Sequence, residues 1–251
     1  MKRTLLLACL SLTLAACANP GPSEEDLRLQ RETFIASVEK SISTRSPTHL
    51  ARDILELQNT YATEIREGGE LADLYKRAKD TVAELDRQEK ITKLNNQLDN
   101  SLRLLDELKI NDTSGSEDIR LALVMFEAAS MTIKEAAEFE GDKGITDKNA
   151  RLRSKLSSTQ QRLLPAMRRR FGKIMSNTLW EHNVEVVVQG GQAKTVRFIA
   201  GMFASNSNIA EAQRANGDLL RRLRFKRVQY EWYRGSEYSY YTLDTEPDGK
   251  I

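Results

Sequence analysis

The amino-acid sequence predicts a mostly helical chain that ends in a small α+β domain. An N-terminal antiparallel helical bundle or coiled coil should lead into an αββαββ-like sheet with helices on one face. Three observations carry that expectation. Apolar residues recur every three or four positions from Leu27 to Leu179, the spacing that places them on one face of a helix. Near Asn183 the period falls to two, as in a strand with one buried face. Charged residues make up 29% of the chain and aromatics only 6%, a balance that suits long exposed helices better than a sheet-rich core.

The elements follow in order. Ser23-Glu24-Glu25-Asp26 offers an N-cap with an acid three residues on, and Leu27, Phe34, Ile35, Val38 and Ile42 then mark one helical face. Arg45-Ser46-Pro47 ends that helix and starts another, with Ser46 as cap and Pro47 at the first helical position. Leu50, Ile54, Leu57, Tyr61 and Ile65 continue until Gly68-Gly69 breaks the run. The longest stripe runs from Leu71 to Leu108 and thins between Asp86 and Lys93, where a kink or an exposed point is expected. It packs either inside the chain or, as a coiled coil, against a second copy; short connections favour the bundle. Ile119 to Ala137 forms the next helix, with Gly141 as its C-cap. Thr146 should cap a helix that uses Leu152, Leu156, Leu163, Met167, Phe171, Ile174 and Leu179, and Pro165 should kink or split it.

Val184, Val186 and Val188 then alternate with Glu185, Val187 and Gln189, and Gly190-Gly191 suits a two-residue hairpin turn. Val196, Phe198, Ala200 and Met202 form the inward face of the second strand. Asn208 caps a helix built on Ile209, Ala212, Leu219, Leu220 and Leu223. Val228, Tyr230 and Trp232 alternate in a third strand, and Tyr238 to Leu243 is a fourth after Gly235-Ser236. This order is similar to small αββαβ-type modules, including ring-building motifs of secretion systems, a likeness of element order alone. The expected boundaries are 24–164 for the helical domain, 165–243 for the α+β domain and 244–251 for a polar tail.

The first residues carry an address. Lys2 and Arg3 precede an apolar run from Leu5 to Leu14, too short to span a membrane, which takes about 20 residues. Small residues and a cysteine follow as Leu14-Ala15-Ala16-Cys17. Basic start, short apolar core and small residues make a secretory signal over 1–16. The Leu-Ala-Ala-Cys sequence resembles the lipobox of bacterial lipoproteins. The resemblance implies lipid attachment at Cys17 (a diacylglyceryl thioether and an acylated N-terminus, palmitate included), cleavage before it, and a lipidated tether over 17–23. It also implies a periplasm-facing place in the cell envelope. Ala18 stands where an Asp in that class often signals inner-membrane retention, which favours the outer membrane of a Gram-negative cell.

Cysteine and charge narrow the chemistry. The chain has two cysteines; Cys9 leaves with the signal, so the mature chain can form no internal disulfide and no thiolate metal site. Two histidines, His49 and His182, stand without a motif. The first suits an exposed helical turn and the second a helix end. Neither Gly-x-Ser-x-Gly nor a phosphate-binding glycine loop is present in the sequence. The acidic pairs Asp106-Glu107 and Glu117-Asp118 suit an exposed helix face and a helix's first turn. No enzyme activity, cofactor or metal is expected.

Charge is split along the chain. Residues 18–150 hold 18 Lys/Arg against 27 Asp/Glu, and 151–251 hold 18 against 9. Arg168, Arg169, Arg170 and Lys173 lie in a stretch without acids, and Arg221, Arg222 and Arg224 form a second cluster. The plain reading is a solvated face or neutralisation by the acidic half. The functional one is contact with an anionic envelope polymer or an acidic protein, aided by Trp232 and Tyr233. Nucleic acid would suit the same charge pattern, but not an exported chain. The expectation is therefore a non-enzymatic interaction or scaffold lipoprotein; an immunity or inhibitor protein that occludes a toxin or envelope hydrolase is the alternative. A homo-oligomer through the longest helix is a further possibility.

Overall fold

The computed structural model describes residues 23–204, 215–234 and 237–244, and from residue 232 onward only the backbone. Cys17, the tether, the Asn208 cap, the Gly235-Ser236 turn, the polar tail and the side chains of Trp232 and Tyr233 lie outside the described residues. The chain is mostly helical with a small C-terminal sheet, as its periodicities predict. The helices are α1 (Glu24–Ser43), α2 (Pro47–Thr60), α3 (Ala62–Glu67), α4 (Glu70–Glu107), α5 (Ser116–Ala137) and α6 (Lys143–Leu179). Strands β1 (Val184–Gln189) and β2 (Thr195–Ala200) follow, then α7, described over 215–222, and finally β3 (Arg227–Arg234) and β4 (Glu237–Asp244).

Contacts divide the chain into two compact units, Met1–Gln88 and Glu89–Ile251. The division falls inside α4, where the apolar stripe thins and residues 86–90 are exposed. It does not fall at the expected 164/165 boundary. Pro165 lies inside an uninterrupted α6. Proline removes the bond to the carbonyl four residues back, here that of the exposed Gln161, which water can satisfy. The core is therefore continuous from α4 through α6 into the sheet.

In the first unit, Ser23 caps α1 in a reciprocal box: its hydroxyl accepts from the Asp26 N–H, and its own N–H and O–H donate to the Asp26 carboxylate at 3.1 and 2.7 Å. Pro47 opens α2, although the Ser46 side chain makes no capping bond. The run expected to continue through Tyr61 breaks there, where φ is −116° and the Tyr61 ring stacks on Phe34 with centroids 5.4 Å apart. Gly68 and Gly69 hold φ of 89° and 98°, a region in which a Cβ is strained. Val38, Leu50, Leu57, Leu71, Leu74 and Ala78 form the core of this unit.

In the second unit, Leu94, Leu98 and Leu105 of α4 are buried with Ile119, Leu123 and Phe126 of α5 and Leu152, Leu156 and Leu163 of α6. Leu71, Leu74, Leu94, Leu98 and Leu105 of α4 are thus buried, on both sides of its midpoint. The cap of α6 is Asp142, whose carboxylate accepts from the Ile145 N–H at 3.0 Å; Thr146, the expected cap, instead donates to the Asp142 and Glu140 carbonyls. Gly141 lies in the turn after Glu138, which is the C-cap of α5.

The sheet has the order β1-β2-β3-β4. β1 pairs antiparallel with β2, β2 parallel with β3, and β3 antiparallel with β4. A parallel neighbour needs a crossover, which α7 supplies. Val184, Val186, Val196, Phe198, Ala200, Val228 and Tyr230 are buried in the core shared with α6, and Phe198 stacks on its register partner Tyr230 at 5.1 Å. Gly172 explains how close α6 comes: a Cβ there would lie 2.5 Å from Val188 Cγ2.

Candidate functional site

The expected basic patch separates into three groups with different surroundings. Arg168 does not reach the surface. It is 2% exposed, and its guanidinium donates to the Leu223, Arg224 and Gln192 carbonyls at 2.7, 2.8 and 3.1 Å. Those carbonyls end α7 and form the β1–β2 connection, so Arg168 is a buried clamp on two loops. This also explains why the connection is longer than the two residues that Gly190-Gly191 suggests. Residues 190–194 form it, Gln192 and Ala193 take φ of 55° and 59°, and Ala193 is buried. A charge-assisted bond to the Gln192 carbonyl helps hold a geometry that non-glycine residues rarely adopt.

The second group is tied down within the chain, and one of its members is neutralised there. Arg222 makes a bidentate pair with Glu127 of α5 at 2.8 and 3.0 Å, and Arg224 donates to the Gln160 side chain at 3.3 Å. Arg221 is exposed and reaches the Gly217 carbonyl at 3.4 Å. Lys148 with Asp99 and Lys155 with Asp106 pair basic residues of α6 with acids of α4. These pairs fit the plain reading of the charge split.

The third group lines a groove. Arg169, Arg170, Gly172, Lys173, Ser176 and Asn177 of α6 face Val186, Val187 and Val188 of β1 across about 500 Å³. Arg170 donates to the Ser114 carbonyl, which fixes it beside the α4–α5 loop. Lys173 sits 3.5 Å from Asp112, with side chains 62% and 93% exposed, a solvated pair worth little. Arg169 is exposed and has no ion pair or side-chain hydrogen bond among the described residues. Helical spacing puts Arg169, Lys173 and Ser176 on one side of α6. Gly172 lets that side approach β1 closely enough to form a wall.

The sequence pointed to Arg169, Arg170 and Lys173 but not to their partner surface. Val186 and Val188 read only as core residues. Gly172, a lone glycine within a basic helical stretch just before the first strand, was the available signal of a close helix–strand approach.

Among the described residues there is no group of three or more His, Cys, Asp or Glu able to hold a metal, and no helix long and apolar enough to cross a membrane. No protein-family model, curated protein or solved structure matches this chain.

Proposed function

We propose that this chain is a cell-envelope lipoprotein, anchored by acyl chains on Cys17, that works as a non-enzymatic interaction module. The observation that carries the reading is Leu14-Ala15-Ala16-Cys17 behind a basic start and a short apolar run. Each buried CH₂ contributes roughly 0.8 kcal/mol, so two or three acyl chains hold a protein firmly at a bilayer. The acyl chains hold the chain at the outer membrane, facing the periplasm. The basic surface of the second unit meets an acidic protein or anionic polymer of the envelope. The groove bordered by Arg169, Arg170 and Lys173 supports that half of the reading, because it is concave and no acid lines it.

The test is labelling with a palmitate analogue, followed by fractionation and mass spectrometry of the N-terminus. Label on the native chain and its loss in Cys17→Ser are expected. An unmodified N-terminus, or a chain found free in the cytosol, refutes the proposal. Crosslinking from membranes should recover fewer partners after Arg169→Glu with Lys173→Glu. Arg168 is left intact there, because its loss acts on the fold.

A further inference from the structure

We infer that the open edge of β1 accepts an extended acidic peptide segment as an added strand, held between β1 and the basic side of α6. The inference deepens the reading of an envelope interaction module and rests on it.

The backbone argument comes first. Among the described residues β1 is an edge strand, paired only with β2. The Gly201 N–H donates to the Asn183 carbonyl at 2.8 Å, which continues the β1–β2 register by one pair and marks it as a hydrogen-bonded one. In an antiparallel ladder such pairs alternate with non-bonded ones. Glu185 with Ile199, Val187 with Arg197, and Gln189 with Thr195 are therefore the bonded pairs. It follows that Val184, Val186 and Val188 direct their N–H and C=O groups away from β2. Among the described residues no hydrogen bond reaches those groups. A row of unpaired amides at a sheet edge is a template for another strand.

The groove lies at that edge. Its lining includes Val186, Val187 and Val188 in succession. Consecutive strand residues point to opposite faces, so one space that touches all three runs along the edge and not over either face. An exposed edge normally carries charges that repel a guest strand. Here β1 itself carries one exposed charge, Glu185, while the charges that line the groove stand on the neighbouring helix and are all basic: Arg169, Arg170 and Lys173. Ser176 and Asn177 continue the polar wall. Main-chain bonds would supply affinity and the cationic wall the choice of sequence. The guest's side chains on the α6 side should be Glu or Asp. Two acids stand near this rim: Asp112, already beside Lys173 and almost fully exposed, whose place an incoming carboxylate can take, and Glu185, exposed on β1 itself and outside the groove lining. Pairing of two copies through β1 would bring two sets of Arg169 and Lys173 together, which like-charge repulsion opposes.

The probe is a fluorescein-labelled Val-Glu-Val-Glu-Val-Glu peptide with blocked ends, read by anisotropy against the full mature chain in detergent at low salt. Saturable binding is expected, weakening as salt rises, with none for the Lys counterpart. N-methylation of alternate peptide amides should weaken binding about tenfold or more, as should Arg169→Glu with Lys173→Glu. Hydrogen exchange over 184–189 should slow when the Glu peptide is bound. The inference is overturned by absence of Glu-peptide binding, by binding that ignores N-methylation and leaves exchange over 184–189 unchanged, or by dimers that bury β1. If the peptide fails while Cys17 is acylated and membrane crosslinks persist, this inference falls and the proposed function stands. A cytosolic, unacylated chain sinks the proposed function whatever the peptide does.

Discussion

Gly172→Ala tests how tightly α6 is seated on the sheet. Two effects oppose each other. Alanine inside a helix is favoured over glycine by about 1 kcal/mol. Against this, the new methyl would sit 2.5 Å from Val188 Cγ2 and 3.3 Å from Val188 Cβ. Valine is stiff at χ1, so relief needs a shift of α6 or β1 by roughly a van der Waals overlap. Overpacking of this kind costs about 1–3 kcal/mol. We expect the clash to win, leaving Gly172→Ala about 1 kcal/mol less stable. The sharper reading is the cycle with Val188→Ala. In that background the methyl at 2.5 Å is gone and only the 3.3 Å contact with the residue-188 Cβ remains, so Gly172→Ala should turn from destabilising to stabilising, by at most the helix-propensity gain of about 1 kcal/mol. The assay is urea unfolding of the four proteins, followed by the midpoint at an unchanged slope. A Gly172→Ala variant that stabilises both backgrounds equally would refute the close approach of α6 to β1.

Arg168→Met should destabilise by about 3 kcal/mol or more, since it orphans carbonyls that accept charge-assisted bonds, whereas Arg169→Met on the exposed side should stay within about 0.5 kcal/mol; equal effects in urea unfolding would contradict the clamp. Asp26 provides a pH test. The Ser23 O–H and N–H donated to its carboxylate hold its pKa below the usual 3.8. Because the folded value is the lower one, the cap's contribution is fully present above the usual 3.8 and is lost as pH falls from there through the depressed pKa. Amide exchange at Asp26 and Leu27 should quicken in that acid range, and Asp26→Asn should remove the dependence.

What the sequence could and could not reveal follows from the range of each signal. Apolar spacing is local, so α1, α4, α5 and the four strands were legible, as was the Asp26 capping box. Caps are decided by one side-chain rotamer, and Asp142 won over Thr146 because its carboxylate reaches the Ile145 N–H. The compact units are decided by packing: the thinning of the stripe near Gln88 was visible, but the continuity of the core past Pro165 was not. Charge misleads most. Arg168, Arg169 and Arg170 are consecutive, yet the first is enclosed, the second is exposed and the third is tied to Ser114. A helix turns about 100° per residue, so adjacent arginines meet different surroundings.

The parallel seam between β2 and β3 has a consequence for how the chain is made. Each flanking hairpin closes over a short stretch, but the seam joins Thr195 to Arg227 across the whole α7 crossover. Long-range pairing of this sort is slow relative to local pairing. During synthesis the first hairpin can settle on α6 while β2 still awaits its second neighbour. A product truncated before Arg227 would keep that middle strand permanently half-satisfied, and such fragments should aggregate or be degraded where the complete chain is not.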